Sequence, residues 1–494
     1  MTPSRRAWLL ASVALVSLLS HLKGISSPPL DYHYHRQTNT AAIARNYQRH
    51  GLDFLNPRID WQGPYQGRCA TEFPLYMWLT GLFWPILGWG ALWGRLLSAL
   101  FSALTAIYLF LFLEKRTSQE AAFYSSVLFS FIPLEIYFGR TIQPEALALL
   151  GTTASLYHWD NWLAAPRRRG HWGLAVLFAF LAISHKLPYA YVLLPLAALA
   201  WLRLGKKALR DVRVGLAALL AAAGVLGWYR YAGTGTFVVP TRADEFWRVL
   251  DYKGLLFYIQ FQFLSRFPEL AATYGGLILW LIGARELIFK RRDLFLPIWL
   301  AAVSISLVIG GGYAFFHEYT SLPLAPVNAA FMGYGLFLLK EKVEKRRVKK
   351  RPWAWAALAL LVASIPVHSA LRIKHWYKIN YPFLAQAAQA AASVSAPEDL
   401  FICNQRAAST FLFFLDRKGW SWDLAEAGEK SLDQVEEKIK AGAKFFMTEK
   451  SDSFKNKDGV FARYFYSSHK AVYDRDGMLI FKLRPQTIVS KTPG

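Results

Sequence analysis

The stretch Asp31-Tyr-His-Tyr-His-Arg-Gln-Thr38 places an acid, two imidazoles and a guanidinium side by side, directly after an apolar segment. Charged groups at the edge of apolar spans are costly to keep and mark functional sites. Two further acids follow, Glu72 in Thr-Glu-Phe-Pro and Glu145 in Gln-Pro-Glu. Arg140, His185-Lys186 and His317-Glu318-Tyr319 sit at the edges of other apolar runs. Acids beside cations in such a place suit a lipid-phosphate substrate, with Arg or Lys on the phosphate and a carboxylate as base. Each residue also has a plainer reading. Asp31 suits a helix N-cap, Glu72 a cap before Pro74, and Glu145 a first helical turn, where acids are favoured. His33 suits packing, whereas His35 lies one turn after Asp31. Arg36 could meet a lipid head group, Lys186 could snorkel, and His317-Glu318 could start a helix. Five separate turns supplying ionisable groups to one face argue for one site.

That face depends on how the chain crosses a membrane. Of 494 residues, 54% are hydrophobic and 16% aromatic, mean hydropathy is +0.21, and long apolar runs recur. This is the composition of a polytopic membrane protein. The formal net charge of +24 is mostly topology. Six clusters at 5–6, 114–118, 167–169, 203–213, 290–293 and 340–351 hold 23 Lys/Arg against 5 Asp/Glu, which is +18 of the total. They alternate with apolar pairs, so the positive-inside rule puts them in the cytoplasm. No basic stripe interleaved with aromatics is visible, which argues against nucleic acid as a partner. Spans are expected at about 7–22, 92–113, 120–137, 145–163, 172–185, 187–202, 214–232, 273–289, 294–312, 320–339 and 353–371. Eleven spans leave the N-terminus inside and residues after 371 outside. The first is read as an uncleaved helix, since no small-x-small site follows it.

Counting Phe73 to Gly90 as a span would send the arginine-rich loops outside. It is therefore expected as a Trp-rich helix lying in the interface, with 36–50 as a second and 244–267 as a third. The domains expected are 1–371, a transmembrane domain whose first outer loop is 23–91, and 372–494, a small extracytoplasmic α/β domain. Strands are expected there at Leu400–Cys403, Lys444–Thr448, Ala471–Tyr473 and Met478–Leu483, and helices at Gln405–Arg417 and Leu432–Ala441. Cys69 and Cys403 are both expected outside, and their spacing fits no metal or redox motif.

Asp-Tyr-His-Tyr-His-Arg-Gln-Thr, Ala-Arg-Asn-Tyr and Glu-Phe-Pro-Leu-Tyr together resemble the GT-C glycosyltransferases of the protein-mannosyltransferase and aminoarabinose-transferase type, in the branch like glycosyltransferase family 39. Gly-Arg-Thr-Ile-Gln-Pro-Glu (139–145), His-Lys-Leu-Pro (185–188) and His-Glu-Tyr-Thr-Ser-Leu-Pro-Leu-Ala-Pro (317–326) resemble later motifs of the same family; many members carry Asp where Glu145 stands. The resemblance covers about residues 5–340. It implies a GT-C fold and an inverting transfer from a polyprenyl-phosphate sugar to a lipid, glycan or protein hydroxyl, at the outer face of a bacterial inner membrane. It implies Asp31 as general base, with Glu72 and Glu145 on the acceptor or on a divalent cation. Arg36, Lys186 and His317 would stabilise the leaving phosphate, and His35, Arg140, His185, Glu318 and Tyr319 would line the substrate site. Carboxylates with phosphate oxygens suit Mg²⁺ or Mn²⁺, and an added His suits Zn²⁺, so Asp31, Glu72 and Glu145 are the metal candidates.

Two rivals share parts of this pattern. A transporter or flippase of lipid-linked sugars would also bind a lipid phosphate, but such proteins show paired repeats and broken midplane helices, and no repeat is evident. A scaffold acting through residues 372–494 leaves the outer acids unexplained.

Overall fold

The apolar runs fold as helices because a backbone in hydrocarbon must satisfy its own polar groups. In the computed structural model the described residues are 3–484, except 62, 65–67, 88–89, 235–236, 239–251, 346–350, 406–407, 429, 452–453 and 455–458. Each of the eleven expected spans is helical. They are α1 (Pro3–Ser20), α4 (Gly90–Leu113), the pair α5 (Gln119–Phe129) and α6 (Pro133–Phe138), α7 (Glu145–Ala164), α8 (Arg169–His185), α9 (Leu193–Leu204), α10 (Val212–Ala232), α12 (Tyr274–Ala284), α13 (Phe295–Phe316), α14 (Leu324–Glu344) and α15 (Arg351–Arg372). The expected 120–137 helix is broken, because Pro133 starts a new helix after the turn at Ser130–Ile132.

Among the described residues, five of these helices are long and apolar enough to cross a membrane by length and composition alone. A sixth passes if Lys253–Ala272 and Tyr274–Lys290, bent by 101°, count as one span. Others fall short in length or hydropathy. In α7 nearly every residue is buried, so Glu145, His158 and Asp160 meet protein rather than lipid.

The two segments expected as interfacial helices of the first loop are helical, as α2 (Tyr34–Arg49) and α3 (Leu75–Leu87). α2 begins later than Asp31. His33 occupies the cap position in the left-handed region (φ 57°, ψ 35°), so Asp31 is not the cap. The third expected helix is described from α11 (Tyr252–Gln260), which continues to Ala272; residues 244–251 lie outside the described residues.

Beyond α15 comes α16 (Ala387–Val394), then a five-stranded sheet built from β3 (Leu400–Asn404), β4 (Gly419–Trp422), β5 (Ala443–Glu449), β6 (Lys470–Arg475) and β7 (Met478–Lys482). Its order is β4-β3-β5-β7-β6. β4, β3 and β5 are parallel, and β7 is antiparallel to β5 and β6. The four expected strands are present. β4 was not anticipated, and Gln405–Arg417 is helical only over α17 (Thr410–Leu415). An earlier two-residue parallel pair joins β1 (Cys69–Ala70) to β2 (Phe237–Val238).

α17 docks directly on α2. The Thr38 and Thr410 hydroxyls lie 2.8 Å apart, Ser409 N donates to Asn39 Oδ1 (2.9 Å), and Arg45 Nη1 donates to the Phe413 carbonyl (2.8 Å). Arg45 also pairs with Asp60 and Asp416. The helix carrying the motif is thus held between the helical bundle and the sheet domain.

Candidate functional site

Two acidic centres emerge where the sequence suggested one. At the first, Asp31 is 1% exposed. Its Oδ1 accepts from Gln37 Nε2 (2.7 Å) and Arg95 Nη2 (2.9 Å), and its Oδ2 accepts from Arg140 Nη2 (2.6 Å). Both guanidiniums also donate to the Gly24 carbonyl, and that of Arg140 stacks between Tyr137 and Tyr377. The sequence placed His35 and Arg36 beside Asp31. The structure instead gives Asp31 two arginines, from α4 and from the turn before α7. Arg140, expected at a substrate, points its charge at Asp31. Arg95 stands outside the sequence motifs, although an arginine within an apolar span is itself a signal.

At the second centre four charges alternate. Arg36, at the start of α2, pairs with Glu72 Oε1. Lys186 Nζ lies 3.8 Å from Glu72 Oε1 and 2.9 Å from Glu145 Oε1. Local geometry explains the placement. Pro144 and Glu145 open α7, as proline and an acid commonly do. α8 stops at His185, so Lys186 is extended and free to reach both acids. The Lys186 ammonium also sits 5.3 Å from the Tyr319 ring centre. Both Glu72 and Lys186 keep some access, with side chains 13% and 15% exposed. Among the described residues, Glu145 Oε2, Arg36 Nε and His317 Nδ1 are buried with no hydrogen-bond partner. Buried polar atoms left in this state call for a partner that is polar and not part of the chain.

His317, Glu318 and Tyr319 close one side. Burial lowers His317 to about 3, and the charges of Lys186 and Arg36 push it the same way, which favours a neutral ring. As a neutral ring it offers a hydrogen bond rather than the charge expected from the sequence. Burial pushes the Glu318 carboxyl up, but its hydrogen bond with His33 opposes this, and the carboxyl stays below the usual carboxylate range. His33 Nε2 is 2.9 Å from Glu318 Oε2, so the residue read as packing is paired across the site. His35 turns the other way, toward Thr410 of the sheet domain. His185 is fully buried, with Nδ1 on the Leu181 carbonyl (2.7 Å) and its ring edge-on to Phe73.

The three metal candidates do not converge. Asp31 is enclosed by arginines, while Glu72 and Glu145 share cations. Among the described residues no group of three or more His, Cys, Asp or Glu could hold a metal ion. Among the described residues the donor set does not fit a divalent cation. Cys69 and Cys403 are free and buried.

Residues 71–229 match the family model of dolichyl-phosphate-mannose-protein mannosyltransferase. No curated protein sequence matches the chain. Among solved structures, the fold is similar to ArnT from Cupriavidus metallidurans. In its apo state that protein is 16% identical, with 97% of this chain and 98% of that one covered and a TM-score of 0.61. Bound to undecaprenyl phosphate it is 15% identical, with 98% and 100% covered and a TM-score of 0.60. The Archaeoglobus fulgidus oligosaccharyltransferase, in complex with Zn and sulfate, is 12% identical, with 96% and 73% covered and a TM-score of 0.61. The chain has the GT-C fold: a helical bundle with a small mixed-sheet domain at its C-terminal end.

Proposed function

We propose that this protein is an inverting glycosyltransferase that moves a sugar from a polyprenyl-phosphate donor to an acceptor hydroxyl at the extracytoplasmic face of the membrane. The observation that carries this reading is the Arg36–Glu72–Lys186–Glu145 cluster with its unpartnered buried atoms, placed beside an apolar cleft. The cleft runs between the turn after Lys186 and α13, lined by Pro188, Tyr191, Leu307, Gly310 and Tyr313. α13 leaves helical geometry at Gly311 (φ 40°), where glycine tolerates the turn. Tyr313 joins cleft to cluster through its hydroxyl, 2.8 Å from that of Tyr319. Alternating charges bordered by a small apolar hollow suit an amphiphile with a phosphate head.

In this reading Lys186 and Arg36 bind the donor phosphate and stabilise the charge that grows as the glycosidic bond breaks. Glu72 and Glu145 hold both cations in place and leave room for the acceptor. Asp31, its oxygens occupied, positions Arg95 and Arg140 beneath the turn that presents His33 and Arg36. The similarity to a structure bound to undecaprenyl phosphate supports a bacterial polyprenyl donor.

The test is transfer by purified protein in lipid, with a panel of polyprenyl-phosphate sugars. Release of polyprenyl phosphate together with a glycosylated acceptor is expected. Lys186→Ala should raise donor KM on the order of ten- to a hundredfold, since a charge-assisted hydrogen bond contributes about 1.5–3 kcal/mol. Movement of donor between leaflets without transfer would identify a transporter instead.

A further inference from the structure

We infer that His33, oriented by Glu318, is the group that takes the acceptor's proton, an inference that rests on the transferase reading above. Four observations place His33 there. Its backbone is held in the left-handed region at the mouth of α2, a conformation uncommon for any residue but glycine and one that clusters at functional sites. Its Nε2 is 2.9 Å from Glu318 Oε2. Glu318 is itself braced by Arg266, whose Nη2 lies 3.8 Å from Oε1 and also donates to the Phe315 carbonyl (2.7 Å). The ring is packed by Tyr32, Phe138, His317 and Tyr319 at centroid distances of 4.3–5.8 Å, yet its side chain remains 13% exposed.

A carboxylate only accepts hydrogen bonds, so Nε2 carries the proton and Nδ1 keeps its lone pair. This is the base-and-orienter arrangement that recurs wherever a hydroxyl is activated. The position also suits inversion. The His33 ring and the Lys186 ammonium lie 5.1 and 5.3 Å from the same Tyr319 ring centre, so they are at most about 10 Å apart. A sugar held between Lys186 and His33 would meet Lys186 through its phosphate and His33 from the acceptor side. In the step, the acceptor oxygen forms its bond to the anomeric carbon as its proton passes to Nδ1. The bond from that carbon to the phosphate oxygen breaks, and its electron pair leaves on the polyprenyl phosphate. The imidazolium formed is stabilised by Glu318, and the proton is then lost to water.

The experiment uses the full-length protein. Glycine adopts the left-handed conformation freely, so His33→Gly should fold, and Asn, which also tolerates it, gives a second variant. With His33 as base, both variants bind polyprenyl-phosphate donor as the wild type does but turn over on the order of a hundredfold slower. Added imidazole should restore transfer to His33→Gly. Glu318→Gln should lower turnover less, with donor affinity unchanged. A folded His33→Gly protein with wild-type turnover, or one that is slow and unmoved by imidazole, overturns the assignment to His33. A wild-type protein that transfers from no donor overturns the reading beneath it.

Discussion

Asp31→Asn removes one negative charge from between two buried guanidiniums while keeping size and hydrogen-bonding oxygen. Breaking a buried ion pair from one side costs about 3–5 kcal/mol, because the remaining charges stay uncompensated. Arg95 and Arg140 are both fully buried, so the variant should melt several degrees lower in detergent, with activity lost in step with folded protein. Thermal unfolding and turnover per folded molecule separate the possibilities. An unchanged melting temperature with a hundredfold loss of turnover would return the base role to Asp31. His317 offers a contrasting case at the same scale. Since burial and its cationic neighbours hold it neutral, His317→Gln should change donor KM far less than Lys186→Ala does. An equal effect in a donor titration would mean that His317 carries charge.

Helices of the bundle approach one another through small residues. A Cβ on Gly283 of α12 would collide with the Phe331 carbonyl of α14, and one on Gly335 of α14 with the Leu279 carbonyl of α12. Gly333 faces the backbone of Ser125 in α5 as closely. Such contacts drive helix association where lipid removes the hydrophobic advantage of burying larger side chains. Gly335→Leu is therefore expected to push α12 and α14 apart and to abolish a monodisperse peak in size-exclusion chromatography. Gly215, with open space at its Cβ, provides the control, and Gly215→Leu should elute as wild type does. Equal profiles for the two variants would refute close packing at this crossing.

For the whole molecule the expectation is orientation. The six basic clusters predict that reporter fusions at Arg168, Lys206 and Lys345 read cytoplasmic, and fusions at Gly51 and Gly459 read extracytoplasmic. The docking of α17 on α2 requires the first loop and the sheet domain to share one side of the membrane. Opposite readings at Gly51 and Gly459 would be incompatible with that contact and with an odd number of spans.

The sequence by itself determined the helices and most strands of the last domain. These follow from local quantities: apolar length, and proline and glycine placement. It also singled out Glu72, Glu145 and Lys186, because charge beside an apolar run is conspicuous wherever it pairs. Partnership was decided only in three dimensions. Asp31 meets Arg95 and Arg140 across 64 and 109 residues of chain, and His33 meets Glu318 across 285. Proximity in sequence favoured Arg36 and His35 as companions of Asp31. α2 starts after the left-handed residue at 33, however, and a helix turns about 100° per residue. Arg36 therefore reaches Glu72, while His35 lies against Thr410 of the sheet domain. Which ionisable groups share a site is a property of how helices pack, and no periodicity in the chain encodes it.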